Sequence, residues 1–171
     1  MNAASPMTDQ MINATDLRRT LGCFPTGVAV VTTTSRTGAP IGVTISSFNS
    51  VSMDPPLILW SLALKALSLP DFRTNGHFAV NVLSEGQAEL PQIFSSPVEE
   101  RFDGLSWTKG VGDVPVLAGS AAVFECATHA RYDGGDHEIF IGRVERHGRS
   151  DAAPLLFAKG RLSALPDPAA A

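Results

Sequence analysis

Residues 44–57 read TISSFNSVSMDPPL, with hydroxyls at Thr44, Ser46 and Ser47, an aromatic at Phe48, the alternation Val51-Ser52-Met53, and a stop at Asp54-Pro55-Pro56. Adjacent prolines fix the backbone and withhold two amide donors, so a strand arriving here ends and the next begins afresh. The apolar run Leu57-Ile58-Leu59-Trp60 follows at once. The stretch thus holds a strand-like alternation, a hard stop and the start of a new strand. Hydroxyls crowded beside an aromatic at a strand end also suit a ligand with phosphates at one end and a flat ring at the other. The alternative reading of the same residues is an ordinary Ser/Thr-rich strand and turn.

Working outward, Val28 to Thr34 is β-branched and reads as a buried strand, and Pro40 to Ile45 as a second, joined by a turn at Arg36 to Ala39. This hairpin delivers Thr44 to Phe48 at its far end. Phe24-Pro25-Thr26-Gly27 makes a corner before it. Further back, Thr15 is placed to cap a short helix that ends at Gly22. On the other side, Leu57 to Leu62 is nearly all apolar and reads as a strand covered on both faces. Ser68 precedes Leu69-Pro70-Asp71 as the N-cap of a helix that ends at Asn75-Gly76.

Phe78 to Leu83 reads as the next strand, and Ser84 with Gln87 has capping-box spacing for a helix through Phe94. Ser95 to Gly110 is a polar surface excursion with one helical turn expected around Val98 to Phe102. Two long strands follow, Ala121 to Arg131 and His137 to Arg146, joined at Asp133-Gly134-Gly135-Asp136, whose glycines permit positive φ. In the second of these, Ile139 and Ile141 read as the inward positions. Pro154 to Leu162 reads as one last strand. Six or more strands in hairpins, without a repeating βαβ rhythm, give a mainly β chain, and an antiparallel barrel with a few short helices is the expected architecture.

Composition bounds the function. The 171 residues make one domain by size, with 44% hydrophobic and 18% charged residues. The expected organisation is a flexible tail over 1–13, a domain over 14–165 and a second tail over 166–171. A net charge of −4 gives no electrostatic case for nucleic acid or an anionic membrane. No apolar run approaches the ~20 residues of a membrane span. The N-terminus lacks a basic-then-apolar signal pattern, so a cytoplasmic location is expected. Cys23 and Cys126 read as small buried residues rather than a disulfide pair.

There is no GxGxxG and no GxxxxGK[ST], so a nucleotide here is not held by a Rossmann turn or a P-loop. Phosphate contacts fall instead to hydroxyls, to amides at the Ser68 helix start and to Lys65. His129 and His137 lie on opposite arms of a hairpin, but no third ligand stands at metal-binding spacing, and none is assigned. Ser46 or Ser47 with His137 could form a hydrolase pair, but no GxSxG elbow is present. Glu99, Glu100 and Asp103 read as a solvated surface face.

The blocks FPTGVAVVTT, GVTISSFNSVSMDPPLILW, FAVNVL, GDHEIFIGRV and PLLFAKG, in this order over roughly 14–163, resemble the flavin reductase-like family. The resemblance implies an FMN-binding split β-barrel that is homodimeric and reduces FMN or FAD with NADH or NADPH. It further implies that the chain is the small reductase component serving a partner flavin-dependent monooxygenase. Flavin or haem binding without turnover, or reduction of another acceptor, are the alternatives. Carried onto this chain, the resemblance assigns Gly42, Val43, Thr44, Ser46, Ser47 and Phe48 to one flavin segment. It assigns Ser61, Leu62, Ala63, Lys65 and Ser68 to a second, and His137 to the nicotinamide side. Runs such as NRSSST in the family correspond here to Ala63-Leu64-Lys65-Ala66-Leu67-Ser68, which leaves fewer side-chain donors for phosphate.

Overall fold

The structure is a computed structural model that describes residues 12–96 and 100–165. Most of the first expected tail, all of the second, and two residues of the expected turn at Val98 to Phe102 lie outside the described residues. Helix α1 (Ala14–Leu21) leads into β1 (Thr26–Gly27), β2 (Ala29–Thr34), β3 (Pro40–Ile45), β4 (Asn49–Met53) and β5 (Pro56–Ala63). Helix α2 (Leu69–Asn75), β6 (His77–Val82) and α3 (Leu90–Ser95) come next. The chain continues through β7 (Trp107–Lys109), β8 (Pro115–Leu117), β9 (Ala122–Gly134), β10 (His137–Arg149), β11 (Leu155–Ala158) and β12 (Arg161–Ala164).

Seven strands form one antiparallel sheet in the order β3-β2-β6-β9-β10-β5-β4. Its two edge strands, β3 and β4, are consecutive in the chain, so the sheet curls until its ends are joined by the short link 46–48. No ladder closes that side among the described residues, and the barrel stays split there. A small sheet, β1-β11-β12, covers one end, and β7 pairs with β8.

Strand β2 shows why the sequence folds this way. Its β-branched side chains alternate between two cores, one containing Ala29 and Val31, the other Val28 and Val30 just ahead of and within the strand. In the first core Trp60 stacks on Phe140 (4.6 Å between ring centres) and meets Phe72 and Phe78 edge-on at 5.0 and 5.5 Å. Such pairs add about 0.5–1.5 kcal/mol each beyond the area they bury. Gly142 is required here, because a Cβ would run into the Phe78 ring.

Several expectations from the sequence are corrected. Strand β5 is not covered on both faces. Ile58, Trp60 and Leu62 are buried, while Leu57, Leu59, Ser61 and Ala63 are half-buried, the one-sided pattern of an antiparallel sheet. On β10 the buried positions are Glu138, Phe140 and Gly142, and Ile139 and Ile141 share the half-buried face with His137. The cap of α1 is Asn13, whose Oδ1 accepts from the N–H groups of Thr15 (2.9 Å) and Asp16 (3.1 Å). The Ser84–Gln87 capping box exists, but it closes a single 3-10 turn over Glu85–Gln87. Pro91 lacks the N–H that would continue the ladder, and α3 starts separately. The last strand is two, β11 and β12, folded at Lys159-Gly160, where both residues take positive φ. Cys23 is exposed and Cys126 buried, and burial first, then nearby carboxylates, pushes the Cys126 thiol up to about 12.

Candidate functional site

The edge of β3 and the loop ahead of α2 face each other across a groove of about 640 Å³. Its walls include Ile41, Gly42, Val43 and Thr44 on one side, Ala66, Leu67 and Ser68 on the other, with Phe94, Ser95, Ser96, Arg101 and Phe102 at one end. Gly42 lies directly beneath Phe94, where an added Cβ would come within 2.5 Å of the ring. The Gly42 carbonyl accepts from Arg101 Nη1 at 3.0 Å, so it faces away from β2. With the two-residue period of a strand, the N–H and C=O of Thr44 face the same unpaired edge. The Thr44 hydroxyl donates to the Pro91 carbonyl at 2.9 Å and ties α3 to β3.

Ser68 stands at the cap position of α2, yet its side chain makes no capping bond and its backbone is already helical. The hydroxyl is therefore not committed to the helix. Ser95 and Ser96 both donate to the Gln92 carbonyl, at 3.2 and 2.6 Å. Arg101, which no periodicity in the sequence singles out, also reaches the Phe94 carbonyl at 3.5 Å.

The link 46–48 is used differently residue by residue. Ser46 is exposed and lines a neighbouring cavity of about 430 Å³ with Thr44, Phe157 and Leu162. Ser47 Oγ accepts from the Ser61 N–H at 3.0 Å and donates to the Ser61 carbonyl at 3.4 Å. Phe48 stacks on Phe124 at 5.3 Å and packs against the first core. In the second segment Leu62 is a core side chain, Ser61 and Ala63 are half-buried, and exposed Lys65 is not among the groove's lining residues.

His137 pairs with Ala63 across β10 and β5, and the Leu64 N–H donates to the Asp136 carbonyl at 2.9 Å. The hairpin thus ends against the start of the 64–68 loop. His137 Nδ1 lies 2.6 Å from Asp136 Oδ1, with the imidazole 43% exposed. The bond to His137 and then its charge, with Lys65 adding to them, hold the Asp136 carboxyl below its usual range. A cavity of about 750 Å³ opens beside His137, lined by Leu64, Arg73, Arg131, Tyr132, Asp133 and Glu138. The loop is a shared wall, with Leu64 on this cavity and Ala66 to Ser68 on the groove.

Glu138, 8% exposed, receives Arg73 through both Nε (2.8 Å) and Nη2 and has Arg131 Nη1 at 3.5 Å. That bond to Glu138 raises the Arg73 guanidinium's pKa above its ordinary value, against a smaller opposing effect of burial. His129 does not approach His137, whose partner is Gly134; it falls in the register shift where Ala130 pairs with Ile141 and Thr128 with Gly142. No group of three metal-ligating side chains occurs among the described residues.

Residues 21–166 match the family model described as the flavin reductase like domain. The chain belongs to this family. Among the flavin reductase domains it resembles is the FMN reductase (NADH) SmoA of Agrobacterium fabrum, 45% identical over 86% of this chain and 84% of that one. The reductase component of a flavin-dependent trigonelline monooxygenase from Acinetobacter baylyi is 41% identical over 85% of this chain and 47% of its own. The chain spans about half the length of some curated relatives it matches. The solved structure of the Streptomyces globisporus NADH:FAD oxidoreductase SgcE6, in complex with NAD and FAD fragments, superposes with a TM-score of 0.85 at 38% identity. That alignment covers 93% of this chain and 99% of the Streptomyces one. The flavin reductase domain described here is mainly β, and no described helix is long and apolar enough to cross a membrane.

Proposed function

We propose that the chain is an NADH- or NADPH-dependent flavin reductase that takes FMN or FAD in the groove between β3 and the 64–68 loop. Reduced flavin then passes to a separate flavin-dependent monooxygenase. The observation that carries this reading is the meeting of the two segments: Gly42 to Thr44 and Ala66 to Ser68 line one groove, and His137 pairs with Ala63 at its border.

The residues present fit such a ligand. The groove's volume lies within the range of about 300–1,000 Å³ usual for small-molecule sites. Its walls at Ile41, Val43, Leu67 and Phe94 suit a flat ring. The open edge at Thr44 offers backbone groups to a polar ring margin, and Ser68 with Arg101 suits phosphate. The flavin, when bound, supplies the acceptor for a hydride from the nicotinamide.

The chain's own work is positioning. Thr44 holds one edge of the ring, and Ser68 with Arg101 holds the phosphate. With His137 Nδ1 engaged by Asp136, Nε2 is left to hydrogen-bond the donor's carboxamide. No proton transfer is needed for hydride transfer itself.

The same reading includes a homodimer in the cytoplasm. Helix α1 buries none of its residues within one chain, and Leu17, Leu21 and Phe24 stand 44%, 63% and 76% exposed. A short helix with an uncovered apolar face has little to hold it in water, and a second copy would supply that cover. The function is tested by following absorbance at the nicotinamide band with purified protein, NADH or NADPH, and FMN or FAD. Flavin-dependent loss of absorbance is expected; no oxidation with any combination rules the reading out.

A further inference from the structure

We propose that this chain selects FAD over FMN, with the Asp71 carboxylate and the exposed Leu67 side chain holding the adenosine end of the dinucleotide where the groove runs on past Ser68 and Arg101. This rests on the flavin-reductase reading of the same groove, and it adds Asp71 and Leu67 to that site.

The groove follows the open edge of β3 from Thr44, next to the link 46–48, to Pro40 at the turn end. That is four residues, about 13 Å of strand. Ile41 and Val43 pack on the α2 side of the strand, and Phe94 and Phe102 lie over Gly42 on the other, so the edge runs between two walls. Ser47 holds Ser61 beside the link, and the 64–68 loop enters from that end. At the other end Asn75 Nδ2 donates at 3.1 Å to the carbonyl of Thr34, the residue opposite Pro40. Helix α2 therefore runs along the groove, about 10 Å from Ser68 to Asn75. Arg101 meets β3 midway, at the Gly42 carbonyl. The order along the groove is Thr44, then Gly42 with Arg101 and Ser68, then Asp71 with Ile41 and Pro40. A flavin with its ring at Thr44 and its first phosphate at Arg101 and Ser68 leaves groove beyond that phosphate. FMN ends there, whereas FAD continues with a second phosphate, a ribose and an adenine.

The chemistry of this last part suits a nucleoside and not a terminal phosphate. A phosphate monoester carries a charge of about −1.5 to −2 at pH 7. The half-buried Asp71 carboxylate lines the groove and has no hydrogen bond or ion pair among the described residues to offset its own charge. Ala66 and Leu67, on the same wall, offer no side-chain donor. A monoester stopping here meets a like charge. The diphosphate of FAD carries its charge singly on each phosphate and presents an uncharged ribose to Asp71, whose oxygens accept from the sugar hydroxyls. Leu67 stands 95% exposed at the rim, across from Pro40 and Ile41. A planar base laid on it removes that apolar surface from water, a gain that FMN has no group to make.

The test is titration calorimetry of FMN and of FAD into the wild type and into variants at the two positions. The wild type should bind FAD about ten-fold more tightly than FMN. Asp71→Ala should weaken FAD about five-fold and leave FMN bound no more weakly than before. Asp71→Asn, which keeps an acceptor without the charge, should recover part of the FAD affinity. Leu67→Ser, at an exposed position that the fold does not depend on, should narrow the preference about three-fold. Wild-type constants that are equal, or lower for FMN, overturn the proposal. So does a loss in Asp71→Ala that is the same for both flavins, which would show a displaced α2, or a preference that no variant changes. In each of these cases oxidation of NADH with FMN still stands, and the reductase reading survives. A wild-type protein that binds neither flavin and oxidises no nicotinamide removes both readings together.

Discussion

The Ser47 hydroxyl engages both main-chain groups of Ser61, accepting from the N–H at 3.0 Å and donating to the carbonyl at 3.4 Å. It sits on the link between the two edge strands, so it pins that link to β5 where no ladder does. Ser47→Ala should therefore cost stability, about 1–2 kcal/mol, or roughly 2–8 °C in melting temperature for a chain of this size. Thermal unfolding measures it. A variant that melts with the wild type would mean the link is held by something else.

Ser68 gives the opposite expectation. A capping serine would cost about 0.5–2 kcal/mol on replacement by alanine, but this one makes no capping bond. Ser68→Ala should leave the melting temperature within about 1 °C and weaken flavin binding about five-fold, near 1 kcal/mol. Flavin fluorescence titration beside a melting curve separates the two roles; a lower melting temperature with unchanged affinity returns Ser68 to the helix.

For His137 the expected signature is kinetic. His137→Ala should raise the Michaelis constant for NADH or lower turnover by about ten-fold, near 1.4 kcal/mol, with flavin affinity little changed. Stopped-flow reduction of the flavin at several NADH concentrations reports it. Equal rates throughout would leave His137 as the end of a turn.

Acid stability has an identifiable source in Glu125. Burial pushes its carboxyl up, but the bonds from Arg146 and the Val111 N–H, with the charge on Arg146, outweigh it and leave the group below its ordinary 4.5. A depressed folded-state value means that this stabilisation is present above the unfolded value and is lost as pH falls from about 4.5 through the folded one. Glu125→Gln should flatten the stability–pH curve in that acid window and lower stability at neutral pH. Urea melts between pH 3 and 7 would show it, and a variant with the wild-type acid slope would clear Glu125.

The assembly prediction is a sedimentation mass near twice the 18.0 kDa of one chain at micromolar concentration. Introducing a charge on the uncovered face, Phe24→Asp, should shift that mass toward one chain. A wild-type protein sedimenting as a single chain would leave the face of α1 without its proposed cover.

The legible parts of the chain were those with local causes. Strand β3 runs from Pro40 to Ile45 as its alternation and flanking turn imply, and Gly76 ends α2 in the left-handed conformation expected of it. The Ser84–Gln87 pattern is local too, but how far a helix continues past it depends on Pro91. The facing of β10 was misread because an inward Glu138 makes sense only beside Arg73, a partner 65 residues away in the chain. Arg101 and Arg131 carry no periodic signal at all, since their places in the groove and the cavity come from how loops and strands pack. The family blocks identified where ligand segments lie. They did not reveal that the Thr44 and Ser47 hydroxyls are already engaged within the chain.

The glycine beneath Phe94 sets a dimension. Because the ring rests on a position with no side chain, a single methyl at residue 42 would force Phe94 to move, and Phe94 is itself part of the groove wall. The width available to a bound ring is then governed by a residue that gives the wall only its backbone. Substitutions in this layer should tune which flat molecules are admitted, leaving the hydrogen-bonding rim as it is, and they offer a handle on ligand choice that no polar contact provides.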